Sequence, residues 1–554
     1  VMAVIKHFTA NFQEYDRNYI SSDIDERTLN EIYFPAFKAA VQEAKVGSVM
    51  SSYNLLNGTW TTHHPWLLRT VLRDQWGFDG ILMSDWGSTH YCLPAAQGGL
   101  DLEMAGGEKM NPDSLRHFIN RGDLDMNVIK FGFMDNEQLD SSIPEDNPAS
   151  VKTALDVARE GMVLLKNEEN LLPLKADKIK KVAVVGQNAL RYLTGGGSGR
   201  VTPIHYVSFY EGIKAVGVQK GVEVKYIDEY DHLDDDVYVA SGSDEHGFNG
   251  EYFNNTDLSG APIATKVDAN INFNFQNGTG VEGIGTSNYS VRWTAELRPI
   301  EDGEYVFHLG GDDGFRLYID DKKVIDDWNP GQERYKTYEM RLSAGKTYAV
   351  KIEYYQGTGA AIIDFYWTKV GADDYFQASL NDVDVVIACF GHDSGSEAEG
   401  GDRTFALPSK QKELITKVIS KTTTPIVGVV TAGGNVEMQS WIRHLDGLLW
   451  AWSGKLPVTF EKRWADNPTY NSYYDSDNDK HVEFTEGIFM GYRGYDKSGK
   501  TVQYPFGYGL SYTTFNLSQM TVEPAIGADA ILKVICELKN TGDVAGAQVV
   551  QLYV

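Results

Sequence analysis

Gly80-Ile81-Leu82-Met83-Ser84-Asp85-Trp86 decides how the first part of this chain is read: an apolar run of strand length ends directly on a carboxylate and an indole. Outward from it, the apolar runs Ala3 to Phe8, Ser48 to Tyr53 and Leu100 to Met104 alternate with amphipathic stretches at Asp25 to Ala44, Pro65 to Gln75 and Ser114 to Arg121. Such alternation implies parallel strands joined by helical crossovers. About four such units are present, short of a closed (β/α)8 barrel, so residues 1–146 read as the C-terminal half of a barrel whose first half lies upstream.

From Asn147 the pattern changes to a helix at Lys152 to Glu160, the run Val163 to Asn167 and a buried strand at Val182 to Gly186. Strand-like runs of the same kind return at Val383 to Cys389, Ile426 to Val430 and Leu448 to Trp452. Between them, residues 247–368 are rich in Tyr, Phe, Asp, Asn and Gly and alternate with period 2, as in Tyr305 to Leu309 and Arg316 to Ile319. This reads as an antiparallel β domain inserted into an α/β domain spanning 147–246 and 369–514. After Phe515 alternation resumes at Leu532 to Leu538 and Val549 to Val554, too briefly for a sandwich within 515–554. The expected fold class is therefore multidomain α/β. Near Asp125 to Phe131, and again at Trp452-Ser453-Gly454, the pattern stops and restarts without turn residues, as if a stretch had been omitted.

The chain has 554 residues, 42% of them hydrophobic, and a formal charge of -27 spread along its length. That charge repels phosphate backbones and anionic lipid alike, so neither nucleic acid nor a membrane surface is an expected partner. No run reaches the roughly 18 apolar residues of a spanning helix. Cys92, Cys389 and Cys536 are far apart and are expected as free, mostly buried thiols. Val1 to Ile5 reads as a strand with no basic leader, so any export signal lies upstream; a secreted or periplasmic site is favoured over the cytoplasm.

Asp85 stands at the C-terminal end of a strand, where barrel enzymes place catalytic groups, although an Asp there also caps a following helix. The same rim carries Lys6, His7, Met50 and Tyr53, with Arg17 close behind: hydroxyl-binding donors, a cation and an apolar floor for one small ring. Far downstream, Glu399 sits in the loop Gly391 to Arg403, loosened by Gly391, Gly395, Gly400 and Gly401, with Glu397 as its rival. Two carboxylates so placed are what displacement at a sugar carbon requires, whereas the loop by itself reads equally as a solvated acidic surface. Gly195 to Arg200 lacks the endings of a P-loop or dinucleotide fingerprint and reads as a turn presenting Ser198 toward an interdomain cleft. No Cys/His cluster has zinc spacing, and no cofactor is implied.

Lys6 to Asn11, Met50 to Asn54, Ser84-Asp85-Trp86, Asp101 to Met104, Val163 to Asn167 and Pro505 to Tyr512 together resemble, in order, glycoside hydrolase family 3 β-glucosidases. The resemblance implies Asp85 as nucleophile and Lys6, His7, Arg17, Met50, Tyr53, Trp86 and Ser198 around the terminal sugar. It selects Glu399 over Glu397 as acid/base, because the family's Glu stands directly before Gly-x-Asp-Arg, here Gly400 to Arg403. It further implies a retaining, exo-acting β-glucosidase, with a β-xylosidase or a non-catalytic carbohydrate binder as alternatives. A small-molecule carbohydrate is the expected partner, and a homodimer is allowed. Residues 247–368 are similar to a protective-antigen-type β-sandwich, in which Asp312-Asp313 are either calcium ligands or a turn binding backbone amides; the segment from 515 is similar to the start of a fibronectin type III-like domain.

Overall fold

Val4–Phe8, Ser48–Ser51 and Ile81–Met83 pair in that order as a parallel sheet, with register Val49 against Ile5 and Leu82 against Val49. The crossovers are helical: Glu26–Thr28, Leu29–Tyr33 and Phe34–Gln42 run on from one another behind an Asp25 N-cap, and Trp66–Gln75 follows the second strand. Their apolar faces, including Phe34, Val41, Leu68 and Leu72, close over Phe8, Val49 and Leu82. The computed structural model describes residues 3–124, 146–194, 196–228, 238–242, 245–275, 278–299, 302–331, 334–358, 361–370, 372–393, 395–397, 399–451, 456–523 and 532–553. The two suspected omissions, at 125–131 and 452–454, lie outside them.

The expected strand at Leu100 to Met104 reduces to one bridge between Leu102 and Met83. The Asp101 carboxylate takes the Leu82 N–H at 2.7 Å and Arg73 at 2.6 Å, so a side chain occupies a donor that a longer ladder would have used. A small sheet that the sequence reading missed joins Ser21–Asp23 to His481–Glu483 and to the hairpin Leu55–Leu56 and Thr59–Trp60. Its turn, Asn57-Gly58, with both residues at positive φ, is a strong short-range hairpin signal.

The second body is a six-stranded sheet in the order Met162–Asn167, Gly447–Ala451, Ile426–Thr431, Val385–Gly391, Lys181–Val185, Glu223–Tyr226; all neighbours are parallel except the first pair. Two clusters built on Ile, Val, Leu and Phe cover its faces. Strand order reverses between Lys181–Val185 and Val385–Gly391, which opens a crevice at their C-terminal ends. Gly391 is required there, since at φ 137 a Cβ would lie 2.0 Å from the Thr431 carbonyl oxygen.

Between Glu223–Tyr226 and the helix Ala372–Asn381 the chain builds a seven-stranded and a four-stranded antiparallel sheet around one aromatic core that includes Trp293, Tyr354, Phe307 and Trp367. The first of these sheets begins ahead of residue 247, because Tyr238–Ala240 pairs with Tyr289–Leu297. Lys410 on the neighbouring helix ties to buried Asp364 at 2.5 Å. Phe515–Glu523 and Lys533–Asn540 form a hairpin. Val549 to Tyr553 form no strand, because alternation yields one only where a neighbouring edge takes the hydrogen bonds. Of the three cysteines only Cys389 is buried, its thiol pushed up to about 12 by that burial; Cys92 and Cys536 are half-exposed. Among the described residues no helix is long and apolar enough to cross a membrane.

Candidate active site

Asp85 follows directly on the Ile81–Met83 strand and is 4% exposed. It caps no helix: the next one starts at Cys92 behind Tyr91. Its Oδ1 accepts the Trp86 N–H at 2.7 Å and the Tyr53 hydroxyl at 3.0 Å, and His7 Nε2 stands 2.8 Å from Oδ2. Burial acts to raise this carboxyl, but the His7 ring, the Trp86 amide and the Tyr53 hydroxyl outweigh it and hold it below its ordinary value. Burial and the neighbouring Asp85 push the Tyr53 phenol up to about 12, so it remains a donor at neutral pH.

Glu399 comes from the second body. Its Oε2 accepts the Ser198 N–H at 2.8 Å, and its Oε1 lies 3.4 Å from Arg17 Nη1. The Ser198 contact depends on Gly197, which adopts φ 68 in the single turn Gly197–Gly199; a Cβ there would stand 2.5 Å from the Glu399 Cβ. The Ser198 amide and hydroxyl, with Arg17 behind them, outweigh a weaker desolvation and hold it below its usual value, because this carboxylate lies open to solvent and faces fixed donors.

Glu397 is engaged elsewhere. Both its oxygens accept the Gly433 N–H, at 3.0 and 2.9 Å, and Arg403 Nε stands 2.8 Å from Oε1. This pair ties the base of the loop to the turn after Ile426–Thr431, leaving Glu399 as the carboxylate turned toward the first body.

Arg17 links the two carboxylates: its guanidinium covers the Tyr53 ring at 4.2 Å, and the Tyr53 hydroxyl reaches Asp85. Met50, 8% exposed, lies beside Met83 on the adjoining strand, and the Trp86 side chain is 63% exposed. Lys6 lies exposed on Val4–Phe8. The groups that hold Asp85 low are the His7 ring, the Trp86 amide and the Tyr53 hydroxyl. Asp313 accepts N–H groups from Gly331, Gly357 and Thr358 at 2.9, 2.7 and 3.3 Å, the amide-binding alternative for that turn.

Glu14 escaped the sequence reading, and Asp402 entered it only as part of the Gly400 to Arg403 motif. Glu14 accepts from Arg17 and from the Gly400 N–H, each at 2.8 Å, and Asp402 accepts the Glu14 N–H at 3.4 Å and the Tyr473 hydroxyl at 2.7 Å. The three-residue spacing of Glu14 and Arg17 was visible, but nothing local points to a loop so far downstream.

Comparison with known proteins bears on this arrangement. Residues 1–131 match the glycosyl hydrolase family 3 N-terminal domain and residues 162–454 the glycosyl hydrolase family 3 C-terminal domain. A β-glucosidase of Rhizobium radiobacter is 33% identical across 100% of this chain and 73% of its own length, and β-glucosidase B of Emericella nidulans is 31% identical with the same coverage. The crystal structure of β-glucosidase from Kluyveromyces marxianus in complex with glucose superposes with a TM-score of 0.70 at 27% identity, covering 98% of this chain and 72% of that one. With both domain models matched in order and relatives aligned across the whole of this chain, it belongs to glycosyl hydrolase family 3.

Proposed function

We propose that this enzyme is a retaining, exo-acting β-glucosidase that removes single β-linked glucose units from the non-reducing ends of short oligosaccharides and aryl glucosides. The observation that carries this reading is Asp85: a buried carboxylate, kept ionised by three donors, at a strand end and one hydrogen bond from the Tyr53–Arg17–Glu399 relay. Asp85 attacks the anomeric carbon while Glu399 protonates the departing oxygen; Glu399 then takes a proton from water, whose oxygen resolves the glycosyl ester. Retention requires the two carboxyl groups about 5 to 5.5 Å apart across the sugar. The ionised Glu399 of the free enzyme suits the second step. The first needs its proton, so the bound glucoside has to draw Arg17 or Ser198 away from it.

His7, Lys6 and Arg17 would hold the sugar hydroxyls, Met50 and Trp86 its apolar faces, and Tyr53 and Ser198 would orient the two carboxylates. In domain terms, residues 1–146 form the second half of a (β/α)8 barrel, and 147–246 with 369–514 the α/β sandwich domain. Within this proposal the insert read as 247–368, with Tyr238–Ala240 added to its first sheet, is a protective-antigen-type β-sandwich, and 515–554 is the start of a fibronectin type III-like domain. The insert stands at the pocket rim, since a Cβ on Gly395 would lie 3.8 Å from the Asn274 amide, and it limits room for the leaving group. Turnover of aryl β-glucoside, β-xyloside and N-acetyl-β-glucosaminide tests the reading. A clear preference for the xyloside would replace it with a β-xylosidase, and absence of turnover on all three with a binding protein.

A further inference from the structure

Glu14 stands where the two bodies meet. One of its oxygens, Oε2, accepts both from Arg17 Nη1 and from the N–H of Gly400, the residue that follows Glu399, each at 2.8 Å. The same Arg17 nitrogen is 3.4 Å from Glu399 Oε1, so one cation lies between two carboxylates and closer to Glu14. The junction continues around it: Tyr473 donates to Asp402 at 2.7 Å and Tyr15 to the Tyr473 carbonyl at 3.2 Å, and the Asp475 N–H donates to the Tyr15 hydroxyl at 2.6 Å. Glu14 is thus held in place rather than free to swing.

We propose that Glu14 is a positioning residue: it docks the Glu399 loop on the first body through Gly400 and draws Arg17 away from Glu399, so that Glu399 can carry a proton when the glycosidic bond breaks. The inference rests on the acid/base reading of Glu399. Two effects of Glu14 act in the same direction, since its charge both satisfies Arg17 and repels a second anion nearby. The other charged or titratable groups around Glu399 are Tyr53 and, through it, Asp85; Asp402 and Tyr473 behind Glu14; and the paired Glu397 and Arg403 in its own loop. Tyr53, at about 12, does not titrate in the working range. Glu397 is already matched by Arg403.

Glu14→Gln keeps the length and an acceptor for Gly400 but removes the charge. With methyl β-glucoside, whose leaving group needs protonation, kcat/KM at neutral pH should fall about tenfold or more and its alkaline limb should move to lower pH. With 2,4-dinitrophenyl β-glucoside, whose leaving group departs unprotonated, the pre-steady-state burst should stay within about twofold. Glu14→Asp, which restores the charge, should return the alkaline limb toward that of the parent enzyme. An equal loss on both substrates with an unmoved limb, no loss on either, or an Asp variant that behaves like the Gln variant would each overturn the proposal. Glu399→Gln, run beside them, separates the two readings: if it spares the dinitrophenyl burst while Glu14→Gln does not discriminate, only the Glu14 role fails. If Glu399→Gln slows both substrates alike, the acid/base assignment itself fails.

Discussion

The Tyr53 hydroxyl donates to Asp85 Oδ1 over 3.0 Å, from a residue that is itself roofed by Arg17. This hydrogen bond is one of those that keep Asp85 below its ordinary value. A nucleophilic carboxylate works only when ionised, so activity is lost as pH falls through the depressed pKa. Tyr53→Phe removes one donor and should shift the acid limb of kcat/KM to higher pH by roughly one unit, equivalent to about 1.4 kcal/mol. A limb that stays in place would show that the hydroxyl does not tune Asp85.

Asp85→Asn preserves the shape of the carboxylate and accepts the same Tyr53 and Trp86 hydrogen bonds at one end. Release of nitrophenol from the aryl β-glucoside should fall by roughly four orders of magnitude or more, the scale of losing a nucleophile. Retention of even a tenth of the activity at the same melting temperature would remove Asp85 from the reaction.

Gly197→Ala places a methyl group 2.5 Å from the Glu399 Cβ at a backbone angle that costs an L-residue about 1–2 kcal/mol. The turn and the Glu399 loop have to move apart, which carries Glu399 out of line with the departing oxygen. The expected outcome is a fall in kcat that is larger for unactivated than for activated glucosides, with a small drop in melting temperature. Kinetics across a leaving-group series, paired with thermal unfolding, would check it.

The insert's first sheet includes Tyr238–Ala240, so a clean excision should take out Tyr238 to Lys369 rather than 247–368 alone. A short linker in its place should leave the six-stranded sheet folded, because the core clusters of that sheet draw on no residue between those bounds. If the insert restricts the leaving-group side, kcat/KM for longer β-glucans should rise relative to cellobiose. An unchanged ratio would deny it a gating role.

The parallel segments were legible because buried strands such as Val182 to Val185 and Ile426 to Val430 are near-continuous apolar runs bounded by turn residues. The antiparallel insert was legible from period-2 alternation, yet its start was misplaced: Tyr238–Ala240 is a three-residue strand, too short for a period to register. Leu100 to Met104 misled for a related reason, since its apolar residues alternate with Asp101 and Glu103, whose carboxylates capture backbone N–H groups of their own. Cys92 and Cys536 were expected to be more buried than they are, because cysteine's average preference says nothing about a particular helix start or an exposed hairpin.

By itself the sequence determined which segments form parallel strands, that a β domain interrupts the second body, and that Asp85 and Glu399 belong to ordered motifs. Those are properties of local pattern and residue type. Tertiary structure alone decided that Glu399 meets Arg17 and Ser198, that Glu397 is consumed by Arg403 and Gly433, and that Glu14 stands between the two bodies. The reason is physical: the charge state of a carboxylate is set by donors within a few ångströms, and here those donors arrive from segments hundreds of residues away, which only the folded chain brings together.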